Sequence, residues 1–85
     1  MIEVRIYGPL RERLGTGSLE VEASRAGSVG ELLAVVSEVT EAASLSELRK
    51  ASVFVNGTNI VDLRLFRTAL LPGDEVVLLS PSGGG

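Results

Sequence analysis

Cysteine and histidine are both absent from the 85 residues. Without cysteine there are no disulfides, thiolate metal sites, iron–sulfur clusters or thiol nucleophiles. Without histidine there is no Ser-His-Asp triad, no imidazole ligand and no neutral-pH general base of the usual kind. That inventory favours a protein that is acted upon over one that catalyses. Tryptophan is absent and aromatics make up only 4%, so aliphatic residues must supply the packing. Positive charge is in deficit, with a formal net charge of −3. Nothing in that balance attracts a phosphate backbone, so nucleic acid is not an expected partner. An acidic chain is better matched to a basic partner surface. Arginine outnumbers lysine seven to one, and Lys50 is the sole lysine. Long apolar runs are missing too. The start, Met1-Ile2-Glu3-Val4-Arg5, alternates charge with aliphatics and is not a basic-then-apolar leader, so a cytoplasmic, membrane-free protein is expected.

What is present reads as one small domain. Ile2, Val4 and Ile6 alternate with Glu3, Arg5 and Tyr7, the period of a half-buried strand. Gly8-Pro9 breaks it, and Pro9 suits the start of a short helical turn through Arg13, with Gly15 past its end. Ser18 to Ala23 alternates again, which predicts a second strand antiparallel to the first. Ser28 and Glu31 have the capping-box spacing. Val29, Leu32, Leu33, Val36 and Val39 follow at helical spacing, so residues 29–39 are expected to form the main amphipathic helix. Leu45 and Leu48 point to a short second helix. Ser52 to Val55 reads as a third strand, Asn56-Gly57 as a hairpin turn, and Asn59-Ile60-Val61 as a short return strand. Leu63 to Leu71 has little periodicity. Pro72-Gly73 turns the chain into a last strand from Glu75 to Leu79. The order β-β-α-β-(β)-β implies an α+β fold, a mixed sheet packed against one main helix. The first and last strands can pair in parallel, because the segment between them is long enough for a crossover.

Residues 1–79 are therefore expected as the domain and residues 80–85 as a flexible glycine tail, Ser80-Pro81-Ser82-Gly83-Gly84-Gly85. Six residues extended span about 20 Å. Glycine has no side chain, so Gly83 and Gly84 can thread a channel too narrow for any other residue and present the Gly85 carboxylate. A frayed chain end is the alternative reading. In the last strand Val77 and Leu79 share the face of polar Glu75, while Val76 and Leu78 point toward the helix. Two exposed aliphatics leading into the tail make a candidate docking patch. The alternative is that the Leu63–Leu71 segment covers them. Gly15-Thr16-Gly17-Ser18 lacks the later residues of a dinucleotide or P-loop motif and is read as a turn. Glu20 and Glu22 read as solvated carboxylates, and Asp74-Glu75 as turn chemistry.

These residues also carry a family resemblance. Met1-Ile2-Glu3-Val4-Arg5, Leu10-Arg11-Glu12 with Gly15, Val29-Gly30-Glu31-Leu32-Leu33 and Phe54-Val55-Asn56-Gly57 resemble the small subunit of molybdopterin synthase, a MoaD/ThiS-type sulfur carrier. So do Asn59-Ile60, Leu71-Pro72-Gly73-Asp74-Glu75-Val76, Pro81 and the final Gly84-Gly85. The chain departs from the family in having Ser80-Pro81 where two prolines are common, and in ending on three glycines. The resemblance implies a ubiquitin-like β-grasp fold. It implies that an E1-like adenylating enzyme, using ATP and magnesium, activates Gly85 as an acyl-adenylate that becomes a thiocarboxylate. The carrier itself would bind no cofactor. The sulfur would pass to the large subunit of molybdopterin synthase, with Val77, Leu79 and Pro81 as partner-binding residues. Other readings are a small archaeal modifier type joined to target-protein lysines through Gly85, a thiamine-pathway carrier, and an interaction domain with an idle tail.

Overall fold

The computed structural model describes residues 1–80. Strand β1 (Ile2–Tyr7) leads through Gly8 into helix α1 (Pro9–Leu14), and β2 (Ser18–Val21) returns antiparallel to β1. The main helix α2 (Val29–Thr40) follows, then the single turn α3 (Leu45–Leu48), β3 (Ser52–Val55), β4 (Thr58–Asn59) and β5 (Glu75–Leu79). The sheet order is β2-β1-β5-β3-β4, with the first and last strands parallel at its centre. This is the expected mixed sheet with one main helix, the β-grasp arrangement.

The core is aliphatic. Ile2, Val4 and Ile6 of β1, Val76 and Leu78 of β5, and Val29, Leu32, Leu33 and Val36 of α2 are all completely buried. Each such side chain stabilises the fold by about 1.5–3 kcal/mol relative to exposure, so a core without tryptophan is sufficient here. Val39 departs from the expected helical stripe and is exposed, while Val35 is buried in its place. Val39 sits in the last turn, on the flank facing β2, where it lines an open groove with Met1, Leu19 and Val35.

Three strand boundaries also differ from the expectation. β2 stops at Val21 because its partner β1 begins at Ile2, opposite Val21, and nothing further is available to pair with. Ala23 instead enters a 3₁₀ turn, Ala23–Arg25. Asn56 and Gly57 form the hairpin turn with φ of 49° and 87°, which sets Thr58 opposite Val55. Pairing is therefore already under way at Thr58, and it ends at Asn59. The Asn59 side chain accepts from the Val61 amide at 3.0 Å and bends the chain into a 3₁₀ turn at Ile60–Asp62. The capping box at α2 is only half formed. Ser28 Oγ accepts from the Glu31 amide at 3.2 Å, but the Glu31 carboxylate accepts from Gly27, not Ser28, at 2.8 Å. The complete box lies at α3, between Ser44 and Glu47.

The 60–71 segment packs on the helix side of the molecule. Val29 and Leu70 amides donate to the Thr68 and Gly27 carbonyls at 2.9 and 3.0 Å. A β-carbon at Gly30 would stand 3.2 Å from the Phe66 carbonyl oxygen, so glycine there lets the segment close onto α2. Among the described residues, no helix is long and apolar enough to cross a membrane.

Candidate functional site

The sheet face away from α2 is open, and the strand registers order its side chains in rows. Arg5 lies beside Val77, which lies opposite Phe54. One row further toward the tail, Tyr7 lies beside Leu79, which lies opposite Ser52. One row the other way, Glu20, Glu3 and Glu75 run across three strands. The face is thus divided. Its tail-proximal part carries Tyr7, Phe54, Val77 and Leu79, and its distal part carries carboxylates.

Exposure follows the expected alternation in β5. Val76 and Leu78 are buried, Val77 is half-buried and Leu79 is 41% exposed. Tyr7 is 43% exposed, so the two ends of the central strand pair both present apolar surface to water. The Leu63–Leu71 segment does not cover this face, because it is engaged with the start of α2. Tyr7 and Phe54 extend the patch beyond the two residues expected from β5. Alternation with Arg5 and with Ser52 carries a signal for both, but the pairing of β3 with β5 is needed to bring Phe54 to Val77.

Arg5 marks the border of the patch. Its Nε donates to Glu3 at 3.2 Å and to Glu75 at 3.1 Å. Hydrogen bonding to Glu3, with the charge of Glu3 and of Glu75 adding, raises the guanidinium pKa above its ordinary value. All three side chains are well exposed, so the cluster orders the face more than it stabilises the fold. Among the described residues no three acidic side chains converge in a way that could hold a metal ion.

The end of β5 is fastened to the body. The Leu10 amide donates to Ser80 Oγ at 3.1 Å, and a β-carbon at Gly8 would come within 2.8 Å of the same oxygen. Ser80, counted with the tail in the sequence, is therefore hydrogen-bonded to α1. No sequence pattern announces that contact, since the two residues are 70 positions apart. Beside Ser80 a groove of about 270 Å³ runs between α1 and α3, lined by Pro9, Leu10, Arg13, Glu47 and Lys50. The Arg13 guanidinium donates to the Glu47 carboxylate across it, and this hydrogen bond is the main cause that holds Glu47 below the usual carboxylate range. Pro81, Gly83, Gly84 and Gly85, named from the sequence as partner-binding, threading and activation residues, lie outside the described residues.

Residues 4–85 match the ThiS family. No curated protein matches the sequence. Among solved structures, the chain is similar to the small archaeal modifier protein 1 of Methanosarcina acetivorans, at 25% identity and a TM-score of 0.83, over 99% of this chain and 95% of that one. It is similar in fold to the Haloferax volcanii small archaeal modifier protein 1, at 22% identity and a TM-score of 0.78, over 99% and 98% of the two chains. It also matches a chain of the complex of subunits 1 and 2 of the molybdopterin-converting factor of Helicobacter pylori, at 24% identity and a TM-score of 0.64, over 99% and 97%. With a family match over nearly its whole length and a β-grasp fold, this chain belongs to the ThiS family of ubiquitin-like sulfur carriers and modifiers.

Proposed function

We propose that this chain is a sulfur carrier whose Gly85 carboxylate is adenylated by an E1-like enzyme, converted to a thiocarboxylate and used as sulfur donor for molybdopterin. One observation carries the reading. An apolar sheet face, Tyr7-Phe54-Val77-Leu79, leads along β5 to Ser80, from which the sequence runs to Gly84-Gly85. A partner seated on that face would receive the glycines directly. Delivery by threading suits side-chain-free residues. A carboxylate is a poor acyl donor until adenylation gives it a leaving group, and ATP and magnesium would be held by the activating enzyme. The large subunit of molybdopterin synthase is the proposed acceptor of the sulfur, and the Helicobacter pylori complex offers a precedent for this fold on a second subunit.

The similarity to the Methanosarcina modifier favours a second reading, conjugation of Gly85 to target-protein lysines. Mass spectrometry of the protein purified from its host separates the two. A terminal thiocarboxylate is expected under the first reading, and branched Gly-Gly remnants on other proteins under the second. Removal of Gly84 and Gly85 should abolish adenylation without altering the thermal melt. Normal adenylation of the truncated chain would sink both readings.

A further inference from the structure

Strand β2 forms one edge of the sheet, and its register decides which of its main-chain groups face outward. The Ile6 amide donates to the Gly17 carbonyl at 3.0 Å, and the register sets Val4 opposite Leu19 and Ile2 opposite Val21. Bonded pairs alternate along an antiparallel ladder, so Leu19 and Val21 bond to β1 while Ser18, Glu20 and the still extended Glu22 turn their main chains away from it. Ser18 is satisfied locally, since Thr16 Oγ1 donates to its carbonyl at 2.8 Å and accepts from its amide at 3.3 Å. The Glu22 carbonyl accepts from the Arg25 amide at 2.9 Å. Among the described residues, that leaves the Glu20 amide and carbonyl and the Glu22 amide without a protein partner.

Two further features meet at this edge. On the helix side, Met1, Leu19, Val35, Val36 and Val39 line a groove of about 240 Å³ beside β2. Val39 is 56% exposed there, although it is aliphatic. On the open face, Arg5 bonds Glu3 and Glu75 but not Glu20, the third carboxylate of their row. Glu20 is exposed and has no ion-pair partner among the described residues. Arg25, at the rim of the groove, is offset by Glu38 at 3.9 Å, so Glu20 and Glu22 set the sign of the edge.

We propose that the β2 edge is a docking site for an extended peptide that alternates aliphatic with basic residues. A strand laid along β2 takes up the free ladder groups at Glu20 and Glu22. Its side chains alternate between the two faces of the enlarged sheet. The residue beside Glu20 continues the row Glu20-Glu3-Glu75 on the open face, where a lysine or arginine meets an unpaired carboxylate. Its two neighbours point to the helix side, where aliphatic side chains fill the groove and cover Val39. A second copy of this chain is a poor occupant. Antiparallel pairing of two β2 edges about Glu20 sets Glu20 against Glu20, and like charges directly opposite are destabilising. Strand β1 separates β2 from β5, so the peptide enlarges the sheet and leaves Tyr7, Val77 and Leu79 uncovered. Docking here is independent of any chemistry at Gly85.

The test titrates the full chain with a short, end-blocked peptide alternating isoleucine with lysine, followed by amide NMR. Saturable binding is expected, with exchange slowed at the Glu20 and Glu22 amides and shift changes at Leu19 and Val39. The Leu19 and Val21 amides, already bonded to β1, should gain little protection. The same peptide with glutamate in place of lysine should bind about tenfold more weakly, because a cross-strand ion pair is replaced by like charges. Glu20→Lys, an exposed change whose melt is compared with the parent, should reverse that preference. Val39→Ser should weaken the lysine peptide by roughly fivefold, since it removes apolar surface from the groove. A preference unchanged by Glu20→Lys would assign it to the net charge of the chain and overturn the proposal. So would no saturation by about 1 mM peptide, protection confined to the Tyr7 and Leu79 row, or a dimer of this chain in which the Glu20 amide is already protected.

Discussion

The amide of Leu10 and the hydroxyl of Ser80 are 3.1 Å apart, so a residue at the end of the last strand caps the helix that follows the first. Gly8 occupies the N-cap of α1 and has no side chain to accept from the first turn. A side-chain cap normally bonds the amide two or three residues into the helix, and Leu10 is that position. Ser80 supplies the missing acceptor. Ser80→Ala should therefore destabilise the domain by about 1 kcal/mol, the net worth of one hydrogen bond. The thermal midpoint should fall by roughly 5 °C in a chain of this size. Amide exchange at Leu10 should accelerate more than at Ile6. Unchanged protection at Leu10 would show that the bond does not form in solution.

Gly8 should resist substitution for two separate reasons. Its φ of 76° and ψ of −162° lie in a region that only glycine visits freely. A β-carbon there would also press on Ser80 Oγ at 2.8 Å. Gly8→Ala is expected to cost about 1–3 kcal/mol from the backbone alone. Comparing it with the Gly8→Ala, Ser80→Ala double variant separates the two causes. If steric pressure on Ser80 contributes, the double variant loses less than the sum of the single ones. Strict additivity would assign the whole effect to backbone conformation.

The strands and the main helix were legible in the sequence because alternation and helical spacing report which face is buried. Ile2-Val4-Ile6 and Val76-Leu78 state the core directly, and Asn56-Gly57 states the hairpin. The end of β2 was not legible, since a strand stops where its partner stops, and the start of β1 is a fact about another segment. The two capping boxes show the same limit. Ser28-Glu31 and Ser44-Glu47 have identical spacing, yet only the second closes, because the Glu31 carboxylate finds the Gly27 amide first. Of the candidate docking face, Val77 and Leu79 could be read from β5 alone. Phe54 joins them only through the β3–β5 register, and Ser80 reaches Leu10 only through the parallel pairing of β1 with β5.

Glu47 gives the fold a pH dependence of definite sign. Its pKa is lowered in the folded state, first by the hydrogen bond from Arg13. A depressed carboxyl contributes stability that is present above its unfolded value of about 4.3 and is lost as pH falls through the folded value. Glu47→Gln keeps the reach needed for the Ser44 capping box but removes the charge. The parent should therefore melt above the variant at neutral pH, and the two curves should converge in acid. Added salt should shrink the gap, because the pair is exposed. A gap that persists unchanged in acid would show that geometry, not charge, is what Glu47 contributes.

The two faces of β5 should answer to the same substitution in opposite ways. Leu78 is fully buried against the helix side, so Leu78→Asp places an unpaired charge in the core and should unfold the domain. Leu79 is 41% exposed beside Tyr7, so Leu79→Asp should leave the melt nearly unchanged. If the open face is where a partner seats, the same change puts a charge where water must be excluded. Affinity for the activating enzyme or for the large synthase subunit should then weaken by about 2 kcal/mol or more, as at central interface positions. Phe54→Ala should weaken binding too, since Phe54 lies opposite Val77 in the patch row that Arg5 borders. Calorimetric titration beside a melt of each variant reads both effects. Full-strength binding by Leu79→Asp would remove the open face from the interface. Such a result would leave the capping contact of Ser80 as the only tested link between β5 and the glycines beyond it.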